Sequence, residues 1–275
     1  MPDKYICVSA NSIIAEHSAE NKELSEMLGE FSENCEAVKI RQKNGKEYFT
    51  AGSYCGFARF TDGTLVEILP NISEDARTEL CAEFCKRCGY SFFPTDLSPD
   101  MNFMEFFISV FAGETMKIIK SGVLSDYTSR EENMNSVQGT ILFAENIRRN
   151  LVHRERLYVR HDVFTPDRAE NRIIKDAASI LIKITENPKS AHLLKQTLSY
   201  FDEVRMPQDI AAEFGKCVNT RNAKKYSTVL NICRMIFDRN ECTAFSGKNV
   251  TLAQFYKMNQ QTPKAKKRVV AVRRR

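Results

Sequence analysis

The segment from Tyr127 to Lys175 places two strand-like stretches, a basic stretch and a capped helix in immediate succession, and that order leaves few ways to fold. Gln138 to Phe143 and Arg156 to Asp162 alternate polar and apolar residues with the period of two expected of half-buried strands. Between them lies the polar, basic stretch Arg148 to Arg154, and ahead of them the run Arg130-Glu131-Glu132-Asn133. Behind them, Thr165-Pro166-Asp167 offers an N-cap, a proline at the first helical position and an acid in the first turn, which predicts a helix from 166 to about 186. Ile173, Ile174, Ala177, Ile180, Leu181 and Ile184 supply its buried stripe. The segment therefore predicts a projecting β-element, within about 127–163, with a helical or looped tip and a helix behind it.

Upstream, residues 1–98 read as a β-rich domain. Lys39 to Lys43 and Glu47 to Gly52 flank Asn44-Gly45, while Cys55 to Phe60 and Thr64 to Leu69 flank Asp62-Gly63. Both dipeptides favour the positive φ angles of a type I′ hairpin turn, and two hairpins in succession predict a small sheet or partial barrel. Ser73 is the expected N-cap of a helix ending at Gly89, and Ser91 to Asp100 a connector. From Met101 the pattern becomes helical, with Phe103, Phe106, Phe107, Val110 and Phe111 on one face. Further helices are expected near 189–201, 208–218 and 223–239. Residues 99–245 thus form a mainly helical core carrying the projecting β-element, and 246–275 a junction and tail. The fold class is α+β.

With 275 residues, 43% of them hydrophobic, the chain can bury a sizeable core. Its longest apolar stretches fall well short of the roughly 20 residues that span a bilayer, and Asp3 and Lys4 interrupt any leader, so a cytoplasmic location without membrane contact is expected. Nine irregularly spaced cysteines fit reduced thiols in such a compartment. The net charge is +5, yet seven basic residues and no acid lie in 262–275, leaving the rest at −2. Basicity belongs to the tail.

Most candidate chemistry has a plainer explanation. Cys81-x3-Cys85-x2-Cys88 has the spacing of an iron–sulfur ligand set, but on an amphipathic helix those spacings place all three thiols on one buried face. His17, His153, His161 and His192 show no paired metal-ligand spacing, so no metal is expected. Ser246-Gly247-Lys248-Asn249 is a fragment of a phosphate loop, without the upstream glycine or the following hydroxyl. Asp126, Glu131, Glu132, Asp162 and Asp167 read as partners of local arginines and caps, so no catalytic residue is assigned. The basic element from Arg148 to Arg160 is the candidate that remains, because guanidinium groups suit the recognition of carboxylate or phosphate.

Taken in order, Gly56-Phe-Ala-Arg-Phe-Thr-Asp62-Gly63-Thr-Leu-Val-Glu67-Ile68-Leu-Pro70, the β-element with Gly139-Thr-Ile141-Leu-Phe143 and Ile147-Arg148-Arg149-Asn150, Glu170-Asn171-Arg172-Ile173-Ile174-Lys175 and Phe255-Tyr-Lys-Met258-Asn259 resemble the McrC family, over most of the chain. McrC is the non-motor subunit of McrBC-type restriction systems directed at 5-methylcytosine. The resemblance implies docking on a McrB-like hexameric AAA+ GTPase, a finger in the ring's pore and stimulation of GTP hydrolysis. By position Arg148 would address the partner's hydrolytic site, with Arg130, Asn133, Arg149 and Arg154 as further candidates. Gly139 would permit a close strand approach or a bulge at the finger's base, and Asn171, Arg172 and Lys175 would anchor the finger to the helical core.

The resemblance also implies that GTP and magnesium are bound by the partner and that DNA is met through the complex. Family members continue into a nuclease domain whose acids and lysine position magnesium. Residues 262–275 carry no acid, so the chain reads as a shortened, frame-disrupted or trimmed member that is not catalytic alone. Two alternatives stand beside this reading: a stand-alone DNA-binding protein using its basic tail, and an inactive remnant of a complete endonuclease subunit.

Overall fold

The computed structural model describes residues 4–17, 22–71, 73, 75–98, 101–217, 221–237 and 249–257. The expectations placed on Ser246 to Lys248, on Met258 and Asn259 and on the basic tail lie outside these. The α+β class is borne out, with strands concentrated early and helices later.

Strands β1 (Tyr5–Ser9), β2 (Ile13–Glu16), β3 (Val38–Lys43), β4 (Lys46–Ala51), β5 (Tyr54–Phe60) and β6 (Leu65–Leu69) surround helix α1 (Lys22–Asn34). They form a three-stranded sheet, β2-β4-β3, and most of a four-stranded one. At Asn44-Gly45 both φ angles are positive, 54° and 77°, which gives the expected primed turn between β3 and β4. The β5–β6 turn differs from expectation, since only Gly63 has positive φ. Gly63 N–H donates to Phe60 O at 3.1 Å and Phe60 N–H to Thr64 O at 2.9 Å, the pattern of a three-residue loop with a left-handed glycine. The Asp62 carboxylate accepts from Thr64 N–H at 2.8 Å and stiffens the corner.

The fourth strand of the larger sheet is β10 (Val250–Lys257), which runs antiparallel beside β5 and gives the order β1-β6-β5-β10. Residues 250–257, within the stretch expected as a junction, thus form a strand of the body's sheet. Gly56 makes the pairing possible: a Cβ there would sit 1.8 Å from Gln254 O. Alternate residues of this sheet face two cores. Cys55, Phe57, Leu65, Leu252 and Tyr256 join the large helical core, whereas Ala58, Phe60, Val66, Ile68 and Phe255 pack with Leu28 and Phe31 of α1. The helical core therefore draws on both sides of residue 98.

That core is built on α2 (Ala76–Cys88) and α3 (Phe103–Lys120), followed after the finger by α5 (Ala169–Leu181), α6 (Pro188–Tyr200), α7 (Ile210–Lys216) and α8 (Ser227–Phe237), with α4 reserved for the finger's helix below. Helix α2 starts after Asp75 rather than Ser73 and ends, as expected, on a left-handed Gly89. Cys81, Cys85 and Cys88 all lie inside the core, and burial pushes the Cys85 and Cys88 thiols up to about 12 and about 11. Buried Glu67 of β6 ties sheet to helices, accepting from Phe103 N–H at 2.9 Å and from Arg77 Nε at 3.2 Å, with Tyr5 Oη as a third donor.

Candidate functional site: the finger and its root

Between α3 and α5 the chain leaves the body. Strand β7 (Asp126–Met134) pairs over its whole length with β9 (Leu157–Thr165), while β8 (Thr140–Ile141) adds two residues on the other side of β9. Helix α4 (Phe143–Asn150) lies across the far end. No side chain between 126 and 165 belongs to either core. The expected strand Gln138–Phe143 is thus corrected to two residues, and Phe143 opens a helix. The tip is helical.

The finger carries its own small interior. Asn150 is buried and donates through Nδ2 to Asn133 Oδ1 at 2.6 Å and to Asn146 Oδ1 at 2.7 Å. Asn133 Nδ2 returns a bond to Asn150 Oδ1 at 3.0 Å, and Asn146 Oδ1 also accepts from Tyr158 N–H at 2.9 Å. Three amides therefore lock one side of α4 to β7 and β9, a satisfied polar network. Asn133, expected among the partner-facing residues, is engaged within this lock. Gly139 has φ of 69°, and a Cβ there would sit 2.2 Å from Arg160 O, so β8 reaches β9 only because this residue is glycine. The glycine lies midway along β9 rather than at the base.

The expected basic residues divide by environment. Arg149 stacks its guanidinium 4.5 Å above the Tyr158 ring and bonds Glu145 at 2.9 Å. The Arg148 side chain is 78% exposed and makes one ion pair with a described residue, to Glu145 at 3.6 Å. The side chains of Arg130 and Arg154 are exposed and make no hydrogen bond or ion pair with a described residue. Three of the acids expected to serve as local partners do so: Glu131 pairs with Arg160 at 2.6 Å, Glu132 with His161 at 3.1 Å and Asp126 with Arg168 at 3.2 Å. Among the described residues no cluster of three or more His, Cys, Asp or Glu is arranged to hold a metal.

At the root the two legs of the finger meet one side chain. Asn171, fully buried on α5, donates to Leu124 O at 2.9 Å ahead of β7 and to Pro166 O at 2.7 Å behind β9. Its Oδ1 accepts from Tyr226 Oη at 2.9 Å, and Tyr226 Oη in turn accepts from Leu124 N–H at 2.9 Å. Burial pushes the Tyr226 hydroxyl up to about 12, which keeps the donor proton in place.

Asp167 anchors the other flank. It receives Arg172 Nε at 2.6 Å and Arg205 Nε at 2.5 Å, and Arg172 continues to Glu213 at 3.2 Å. Desolvation opposes its charge, but the two guanidinium bonds prevail and hold the carboxyl down at about 2. Because Asp167 is so committed, it does not open the helix: α5 begins at Ala169 after Arg168, and Thr165 ends β9. Lys175 Nζ donates to Val204 O at 2.6 Å and Asp202 O at 3.1 Å, so it fastens α5 to the end of α6 rather than to the finger. Arg168, Tyr226 and Asn150 carry much of this arrangement and were not singled out from the sequence. Only long-range contacts reveal them.

A two-legged β-finger rooted on a helical core, with a basic helical tip, agrees with the family resemblance, and a direct comparison decides it. The family of McrBC 5-methylcytosine restriction system components matches residues 49–261, well over half of the chain. The chain belongs to that family. No curated protein matches. Among solved structures, this McrBC-family chain resembles a chain of the cryo-EM structure of the Thermococcus gammatolerans McrBC complex, with 15% identity and a TM-score of 0.65, covering 93% of this chain and 84% of that one. It also resembles a chain of a refined half-complex from the tetradecameric assembly of Thermococcus gammatolerans McrB AAA+ hexamers with bound McrC. There the identity is 15% and the TM-score 0.65, over 86% of this chain and 65% of that one. At such identity the likeness establishes a shared fold.

Proposed function

We propose that this McrBC-family chain is the McrC-type subunit of a GTP-dependent restriction complex directed at 5-methylcytosine. It docks on a hexameric AAA+ GTPase, sends the finger 126–165 into the ring's pore and raises GTP hydrolysis. GTP and magnesium belong to the partner, DNA is reached through the assembly, and the complex acts in the cytoplasm. Among the described residues no helix is long and apolar enough to cross a membrane.

The observation that carries this reading is the state of Arg148. It stands at the far end of a locked finger with its guanidinium in the open and, among the described residues, a single long ion pair on its own helix. A guanidinium left in the open on such a support is available to another molecule. Its fixed positive charge suits a site where negative charge develops on a transferring phosphoryl group, either directly or by orienting the partner's own residues. The solved assembly of McrB AAA+ hexamers with bound McrC supports the choice of partner.

The test is GTP turnover by the cognate AAA+ protein titrated with this chain. Turnover is expected to rise to a plateau, and Arg148→Ala is expected to lower that plateau by about tenfold or more. No rise with the unmodified chain would defeat the reading. An unchanged plateau with Arg148→Ala would remove Arg148 alone.

A further inference from the structure

Seven of the thirteen large apolar side chains left exposed among the described residues lie between 127 and 164. Four are gathered at the tip: Phe143, Ile147, Leu151 and Val152 are 71, 65, 69 and 85% exposed. Phe143, Ile147 and Leu151 are spaced by four, so they form one ridge along α4 and its C-cap. All three side chains are exposed, and the adjoining face of the helix is taken by Asn146 and Asn150, which bond the finger's strands. The ridge therefore faces outward, and neither core of this chain reaches it. A contiguous apolar patch held open on a rigid projection marks a surface that another protein covers.

We propose that this ridge is the seat by which the finger tip docks on the AAA+ hexamer, in a groove of the pore wall with an apolar floor and an acidic rim. This rests on the function proposed above. The occupant follows from continuity: Arg148 is three residues from Leu151 and so its neighbour on the outward side of α4, and whatever surface receives Arg148 meets the ridge as well. The rim follows from charge, since Arg148 beside the ridge has only a 3.6 Å pairing with Glu145 among the described residues, and Arg154, three residues beyond Leu151, has no ion pair with a described residue. Nucleic acid fits poorly, because a phosphate backbone offers nothing to three aliphatic side chains and a phenyl ring. The ridge does no chemistry. It supplies affinity, by burying its apolar area against the partner.

The experiment titrates the cognate hexamer with the unmodified chain, with the Phe143→Ser/Ile147→Ser double variant and with Arg148→Ala, reading binding by anisotropy of the labelled chain alongside GTP turnover. Both serine positions are solvent-facing, and circular dichroism and melting check that the fold is kept. The double variant is expected to bind at least about tenfold more weakly yet reach the normal turnover plateau at saturation. Arg148→Ala is expected to bind within about threefold of the unmodified chain with a lowered plateau. Unmodified binding by the double variant would overturn the seat while the proposed function stood. If the unmodified chain neither binds nor stimulates, both readings fall together. If it is a dimer by sedimentation that the serines dissolve, with no change in hexamer affinity, a second copy covers the ridge and the proposal is wrong.

Discussion

At the root of the finger, Asn171 and Tyr226 satisfy the backbone of both legs and Asp167 holds two arginines within 2.6 Å. At the tip, Arg148 keeps one ion pair with a described residue, at 3.6 Å, and four large apolar side chains face solvent. Both ends are rich in the same residue types, arginine, asparagine and aromatics. What differs is saturation. Buried polar groups must be paired inside the molecule because an unmet donor or acceptor there is costly, whereas charge and apolar area left open on a stiff support are free for a partner.

If the root is structural, damage there should register as lost stability. Asn171→Ala has the largest expected effect, about 3 kcal/mol, because it strands Leu124 O, Pro166 O and the Tyr226 hydroxyl in a dry site. Denaturant unfolding followed by circular dichroism measures it. A loss below about 0.5 kcal/mol would mean that the legs are held by packing alone.

Next comes a pH effect with a definite sign. The folded carboxyl of Asp167 titrates near 2, below the value of about 3.9 for an unfolded chain. Its contribution of roughly 2 kcal/mol is therefore fully present above pH 4 and is lost as pH falls from about 4 towards 2. Asp167→Asn should flatten that part of the stability curve, and an unchanged slope would contradict the ion-pair account of this flank.

Gly139→Ala tests the shaft between the two ends. With a φ of 69° and backbone 2.2 Å from any added Cβ, the change should cost about 1–2 kcal/mol. The cost should stay local, appearing as faster amide exchange in β7 to β9 with little change in the global melt. A global loss instead would show that finger and body unfold as one unit.

Much of the body can be read from the residues alone, wherever local chemistry decides. Asn44-Gly45 dictates its turn, the Phe103 to Phe111 face dictates α3, and Asn187-Pro188 starts a helix that runs to Tyr200. Three features escape such reading. Strand β7 is composed almost wholly of exposed polar residues, so it has no apolar alternation, and it exists because β9 pairs with it. Helix α4 begins inside an alternating stretch, since β8 ends after two residues and the asparagine lock then turns the chain. Strand β10 pairs across nearly two hundred residues, a contact no local pattern encodes.

At the site, Gly139 is legible because a lone glycine beside a strand points to a close backbone approach, whereas Asn171 is legible only through the family resemblance. The apolar ridge is present in the sequence as Phe143, Ile147 and Leu151, but its exposure emerges only from the fold. Spacing alone would have assigned those residues to a core.

The central claim is that the tip acts on another molecule while the root serves only this one. Its most direct test is the GTP turnover plateau of the cognate AAA+ hexamer saturated with Arg148→Ala, compared with the unmodified chain at equal melting temperature. The expected result is a plateau lowered about tenfold or more with stability intact. An unaltered plateau at saturation would contradict the account.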